Sequence, residues 1–223
     1  MNYEWDFYFV WRHFDVLING LLISLTLTVI SVALALPLGF IVAVFRLSRN
    51  FFISKIAAAY IEFFRCTPAL VQVIWIYYCL PIILGIEISG FACGIAALAL
   101  NLTAFNAEAF RSGIQAIPMD QTDATVALGL SPVQRILYVI LPQAVRMVIP
   151  VLLTNAVGSF QQSSLVSTVA IADLMYEGRV LATRFYRPLE ILTVVAIIYL
   201  VIAFPVTQLV RVVELRLREK LKR

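Results

Sequence analysis

With 62% hydrophobic and only 13% charged residues among 223, and a mean hydropathy of +0.94, this chain is far more apolar than a soluble domain, where about a quarter of residues are charged. Its apolar runs use up most of the length, which leaves no room for a soluble domain beside the membrane part. The net charge of +4 is concentrated in the C-terminal tail, where anionic lipid headgroups attract it, and it asks for no nucleic acid.

In chain order, residues 1–16 are expected to form an interfacial segment. A helix over residues 3–14 would put Phe7, Val10, Trp11 and Phe14 on one face, with Glu4, Asp6, Arg12 and His13 elsewhere, as suits a helix lying along the outer membrane surface. The start, Met1-Asn2-Tyr3-Glu4, lacks a basic n-region, so the first apolar run is read as a span and not a cleaved leader. Apolar runs follow at residues 17–45, 52–84, 88–107, 133–158 and 189–210. Each can reach the roughly 20 residues that cross a bilayer core. Residues 17–212 therefore read as one all-α domain of about five spans, with a basic tail over 213–223.

Lys and Arg placement sets the orientation. Arg46, Arg49 and Lys55 lie between the first two spans; Arg211, Arg216, Arg218, Lys220, Lys222 and Arg223 follow the last. Both groups reach the cytoplasm only with an odd number of spans, an outside N-terminus and a cytoplasmic C-terminus. The loop near Glu87 has no Lys or Arg, as an external loop should. Arg179, Arg184 and Arg187 in the expected external loop 160–188 run against the rule, beside Asp173, Glu177 and Glu190.

Between Asn106 and Pro142 the chain turns polar, and a short capped helix can be read from a loop at about 117–132. Asp120 is expected as its N-cap, with Asp123 three residues on as in a capping box. Gly129 would end it in the left-handed conformation, and Ser131-Pro132 would start the next helix with proline at N1. About eight residues, roughly 12 Å of helix, thus carry their own start and stop signals, as a docking element would. Farther on, Pro142 and Pro150 should bend the fourth span.

Asp123-Ala124-Thr125, Gly129, Val139 and Leu141-Pro142 have the spacing of the EAA loop and resemble that of ATP-binding-cassette importer permeases. Asp123, Thr125 and Val139 replace the family's Glu, Ala and Ile. Glu62-Phe63-Phe64-Arg65-Cys66-Thr67-Pro68 resembles the E-x-x-R-G-T-P element of polar-amino-acid permeases, with Cys66 for Gly. Ala107-Glu108-Ala109-Phe110-Arg111-Ser112-Gly113-Ile114 and Leu141-Pro142-Gln143-Ala144 are similar to the same subfamily. The resemblance implies a type I importer permease fold with a cytoplasmic coupling helix. Its docking residues would be Asp120, Asp123, Ala124, Thr125, Leu128, Gly129, Leu130 and Ser131. It further implies a dimer of ATPase subunits that hold ATP and Mg, a second permease subunit, and an extracytoplasmic solute-binding protein. The setting would be the lipid bilayer of a prokaryotic inner membrane, with no cofactor on this chain.

Polar uncharged residues of spans three and four are the candidates for touching solute: Asn101, Thr103 and Asn106, then Thr154, Asn155 and Ser159. Span four runs into Gln161-Gln162-Ser163-Ser164-Leu165, where the family commonly reads K-D-T-S-L. The expected pathway is Asn101, Asn106, Asn155, Gln161, Gln162, Ser163 and Ser164, although isolated Ser and Thr in spans also serve as helix–helix hydrogen bonders. Glu62, Arg65, Glu108 and Arg111 lie near span ends, where pairing or snorkelling suits them.

Absences narrow the function. None of the three lysines, Lys55, Lys220 and Lys222, follows a glycine, so no G-x-x-x-x-G-K-[ST] phosphate loop exists here. ATP hydrolysis must belong to another polypeptide. No span carries the carboxylate or histidine relay of a proton-coupled carrier. His13 alone cannot build a metal site, and Cys66, Cys79 and Cys93 have neither CxxC spacing nor a disulfide framework. The expectation is a permease for polar amino acids working by alternating access. An importer for an opine, a compatible solute or a sulfur amino acid, and a self-sufficient carrier, are the alternatives.

Overall fold

Hydropathy makes residues 52–84 a single span, yet in the computed structural model, which describes residues 5–221, this run is two helices. Met1-Asn2-Tyr3-Glu4 and Lys222-Arg223, used above for leader and tail, lie outside the described residues. Helix α3, Phe51–Cys66, and helix α4, Ala69–Leu84, meet at a bend of 107°. The cause is local. Pro68 has no N–H to continue α3, and it forces Thr67 into extended backbone at φ −100°, ψ 142°. The carbonyls freed at the break are not left bare in an apolar setting. Gln72 Nε2 donates to the carbonyl oxygens of Phe64 (2.9 Å) and Thr67 (3.0 Å), and Asn101 Nδ2 also donates to Phe64 (3.2 Å).

The remaining helices are α1 (Phe7–Arg12), α2 (Phe14–Arg46), α5 (Gly90–Gln115), α6 (Met119–Ala127), α7 (Pro132–Gln134), α8 (Leu141–Gln162), α9 (Leu174–Phe185) and α10 (Pro188–Leu221). Among the described residues four stretches are long and apolar enough to cross a membrane, and five if the bent pair counts as one span. Expected spans and helices thus coincide in number but not in form. The third span, α5, runs past 107 to Gln115, because Arg111 Nε donates to Glu108 Oε2 one turn back at 2.9 Å and the charged pair rides on the helix. Arg65 adds to that pair at 3.9 Å, while Glu62 is exposed.

The core is built on α2, whose main partner is α5. Apart from Leu17 and Leu27, its buried residues are small: Gly20, Ser24, Thr28, Ser31, Ala35, Gly39 and Ala43. Small side chains at four-residue spacing let two backbones approach closely. A Cβ on Gly39 would come within 2.8 Å of the Asn106 Cβ, and one on Gly20 within 2.9 Å of the Asp173 carbonyl.

Two more expectations change. The fourth span does not simply bend at its prolines: a π-helical turn, Arg135–Ile140, joins α7 to α8. Pro142 cannot donate to the preceding turn, so the backbone widens there, and Gln143 Nε2 caps the Val139 carbonyl at 3.1 Å. The region 160–188 is no open loop either. It holds a 3₁₀ turn, Ser163–Val169, and α9, which buries Leu174, Gly178, Leu181 and Ala182 against α2 and α10. Short amphipathic helices give no hydropathy peak. At the N-terminus the expected face of α1 splits: Val10 packs inward with Leu17 and Leu174, whereas Trp11 is exposed. Phe9, not expected to face inward, packs edge-on to Phe185 at 4.7 Å.

Candidate functional site

The polar break folds as a helix that almost nothing covers. α6 spans Met119–Ala127, with Pro118 as its N-cap, so Asp120 is not the cap. Pro118 sits in extended backbone at ψ 141° and the helix begins directly after it, one residue before the expected cap. Asp120 therefore lies in the first turn, still at the positive end of the helix dipole. The far end is as expected. Gly129 takes φ +72°, its N–H bonds the Val126 carbonyl (2.9 Å), and the Leu130 N–H bonds the Thr125 carbonyl (3.1 Å). This pair of bonds is the Schellman arrangement. Ser131 then caps α7 in a reciprocal box with Gln134: the Gln134 N–H donates to the Ser131 hydroxyl, and the Ser131 N–H donates to Gln134 Oε1 at 3.0 Å.

Of the expected docking residues, Asp120, Asp123, Ala124, Leu128, Gly129 and Ser131 are exposed, Leu130 is half-buried, and Thr125 is buried beneath the helix. Met119 at 80% exposure and Leu128 at 77%, with Val126 and Val133, form an apolar rim on a helix outside the spans. Large apolar side chains held out on a capped helix need a partner surface. Sequence reading missed Met119, Val126 and Val133; their sign was apolar residues inside an otherwise polar stretch.

A second site lies between α5 and α8. A cavity of about 230 Å³ is lined by Asn101, Leu102, Phe105, Thr154, Asn155, Gly158, Ser159 and Gln162. Its two asparagines are oriented by buried amides behind them. Asn101 Nδ2 donates to Gln72 Oε1 at 3.0 Å, and Gln72 is itself fixed by donating to Thr67. Asn155 Nδ2 donates to Asn106 Oδ1 at 3.0 Å, with Asn106 buried. Asn101 spends both of its N–H groups on the protein and Asn155 one of its two, and each keeps Oδ1 as an acceptor beside the cavity. Thr154 likewise donates its hydroxyl to the Pro150 carbonyl (2.9 Å). The Ser159 hydroxyl is buried without a protein partner. An acceptor-rich, uncharged wall suits a ligand bearing N–H groups, such as an ammonium or a carboxamide.

The expected pathway residues divide on this geometry. Asn101, Asn155 and Gln162 line the cavity together, and Asn106 stands behind Asn155. Gln161 is exposed and outside the lining. Ser163 is buried and donates to the Phe160 carbonyl, and Ser164 donates to the Gln161 carbonyl. The 3₁₀ turn after α8 turns both hydroxyls back onto their own backbone. Gln72 and Phe105 were missed. A glutamine alone in the apolar run 69–84 was the available signal, since an amide among spans needs a partner. Among the described residues no group of three His, Cys, Asp or Glu is placed to hold a metal ion. Cys93 packs in the core, whereas Cys66 is exposed.

Known proteins share this framework. The family of binding-protein-dependent transport system inner membrane components matches residues 35–219. The octopine transport system permease protein OccM of Rhizobium radiobacter is 34% identical over 214 residues, covering 92% of this chain and 87% of that protein. The glutamine transport system permease protein GlnP of Escherichia coli (strain K12) is 31% identical over 219 residues, covering 98% and 99%. Among solved structures, an amino acid ABC transporter with histidines superposes with a TM-score of 0.87 at 32% identity, covering 96% of this chain and all (100%) of that one. The MetNI methionine ABC transporter in an inward-facing conformation shares the fold, with a TM-score of 0.70 at 21% identity over 91% of this chain and 98% of that one.

Proposed function

The chain belongs to the binding-protein-dependent transport system inner membrane components, the permease subunits of ATP-binding-cassette importers, and from that premise we propose that its solute is glutamine or a polar amino acid of similar build. It is a transport subunit, and ATP hydrolysis belongs to separate ATPase subunits. The observation that carries the solute reading is the cavity between α5 and α8, where Asn101 and Asn155 offer acceptors and Gln162 an amide. Neutral amides bond an ammonium or a carboxamide without the desolvation cost of a fixed charge, so a zwitterion is held and still released. The octopine permease among its relatives makes an opine the second candidate.

In the working assembly, the exposed face of α6 docks on an ATPase dimer that holds ATP and Mg²⁺, and no cofactor sits on this chain. A second permease subunit completes the pathway, and a binding protein delivers solute from outside the inner membrane. The N-terminus lies outside, and the 117–132 loop and C-terminus lie in the cytoplasm, as the basic clusters ask. ATP binding shifts the population between inward- and outward-facing states.

The test is uptake of labelled amino acids into proteoliposomes carrying the complete transporter and its binding protein. Gln162→Ala and Asn155→Ala should each lower uptake of the preferred solute by about tenfold, the worth of one hydrogen bond to a charged group. Basal ATPase activity and assembly should persist. Wild-type uptake by both variants would remove the cavity from the pathway.

A further inference from the structure

We propose that this chain binds the phosphate of an anionic phospholipid between Arg49 and Arg135, at the end of the bundle where α2 stops and α3 begins. A groove of about 790 Å³ opens there between the last turn of α2, the start of α3, the end of α5 and the π turn. Its walls include Val44, Phe45, Ile53 and Ile136, and its cations are Arg49 and Arg135. No carboxylate is among the lining residues.

Among the described residues neither guanidinium group has a hydrogen bond or ion pair, unlike the neighbouring cations. Arg46 Nη1 donates to the Ser54 hydroxyl at 3.0 Å, and Lys55 sits over the Phe51 ring at 5.5 Å. Arg135 instead has a buried Nε with no hydrogen-bond partner in the protein. A buried donor of a permanent cation left without an acceptor is costly, so natural proteins rarely keep one. Two like charges lining one groove add repulsion that a shared anion relieves. Arg135 is the first residue of the π turn, directly after α7, and lines the groove together with Ile136 and Ile140 of the same turn.

The apolar walls decide the source of that anion. A free phosphate would leave Val44, Phe45, Ile53 and Ile136 uncovered, whereas a phospholipid brings an acyl chain with its phosphate. The groove also adjoins surface that only apolar solvent suits: Phe51 and Phe52, at the start of α3, are 66% and 76% exposed. Arginine pairs phosphate oxygens in bidentate fashion, which fixes a headgroup more specifically than a diffuse basic tail does.

The experiment uses the whole transporter, with ATPase subunits and both permease subunits, purified and examined by native mass spectrometry. It is titrated with phosphatidylglycerol or with phosphatidylcholine of the same acyl chains. Phosphatidylglycerol should be retained preferentially, and inorganic phosphate should not displace it. An Arg49→Gln/Arg135→Gln variant should bind it at least about tenfold more weakly, the loss of a charge-assisted hydrogen bond. A control variant in the tail, Arg211→Gln/Arg216→Gln, should bind as the wild type does. Equal retention of the two lipids, or displacement by inorganic phosphate, would overturn the proposal even if the double variant failed to assemble. Retention only after the ATPase subunits are stripped away would assign the groove to the ATPase and also overturn it.

Discussion

Asp173 places a carboxylate fully out of solvent at the start of α9. It accepts hydrogen bonds from the N–H groups of Tyr176 (2.9 Å) and Met175 (3.3 Å) and from the Tyr199 hydroxyl (3.4 Å). Burial outweighs these bonds and pushes its pKa up from 3.8 to about 6. An acid whose folded pKa is raised stabilises the fold in its protonated form. That contribution is complete below about pH 4 and is lost as pH rises through about 6. Glu177, in the first turn of α9, is shifted in the same direction by burial. We expect the melting temperature to rise as pH falls from 7.5 to 5, by an amount worth about 1.4 kcal/mol for Asp173, since that window ends one pH unit below its pKa of about 6. Asp173→Asn keeps an N-cap acceptor and should flatten most of that dependence; thermal melts across pH check it. In the sequence this residue was only one charge beside three arginines. Its cap role rests on α9, which hydropathy does not reveal.

At the scale of elements, local signals were legible and long-range ones were not. Gly129 and Ser131-Pro132 announced their caps because the chemistry of a cap lies within a few residues. The start of α6 was misplaced because Asp120 is a good cap in isolation while Pro118 had already set the backbone. Gly129→Val should strain the left-handed turn by at least about 1 kcal/mol. No neighbour is within 4 Å of its Cβ, so the strain is in the backbone alone. We expect normal membrane insertion, loss of transport and an ATPase rate no longer stimulated by loaded binding protein, all measurable in proteoliposomes. The α3–α4 break was hidden by hydropathy, although Pro68 was in view, because its stabilisation comes from Gln72 and from Asn101, 29 residues away. Gln72→Leu would leave the Thr67 carbonyl at the break unpaired, at about 1–3 kcal/mol, with the Phe64 carbonyl held by Asn101 alone. It should lower thermal stability and, by freeing the Asn101 amide, weaken transport more than Gln162→Ala does. Melting curves and uptake on the same preparations check this.

Across the whole molecule, composition foretold an all-helical membrane domain, and the amino acid ABC transporter structure shares its fold over 96% of this chain. The polar pathway was legible only in part. Asn101, Asn155 and Gln162 converge because α5 and α8 pack together, whereas Gln161, one residue from Gln162, faces elsewhere. Which of two adjacent amides meets the cavity depends on helix rotation, which residue type does not report. The proposed orientation puts α6, with its exposed Met119 and Leu128, on the ATPase side and the Gly85–Glu87 turn on the other. The most direct test is photocrosslinking in intact cells, with a benzoylphenylalanine at Leu128, at Met119 or, as the opposing control, at Ile86. The account predicts capture of the ATPase subunit from Leu128 and Met119 and none from Ile86. Capture from Ile86, or none from either α6 position in an active transporter, would contradict it.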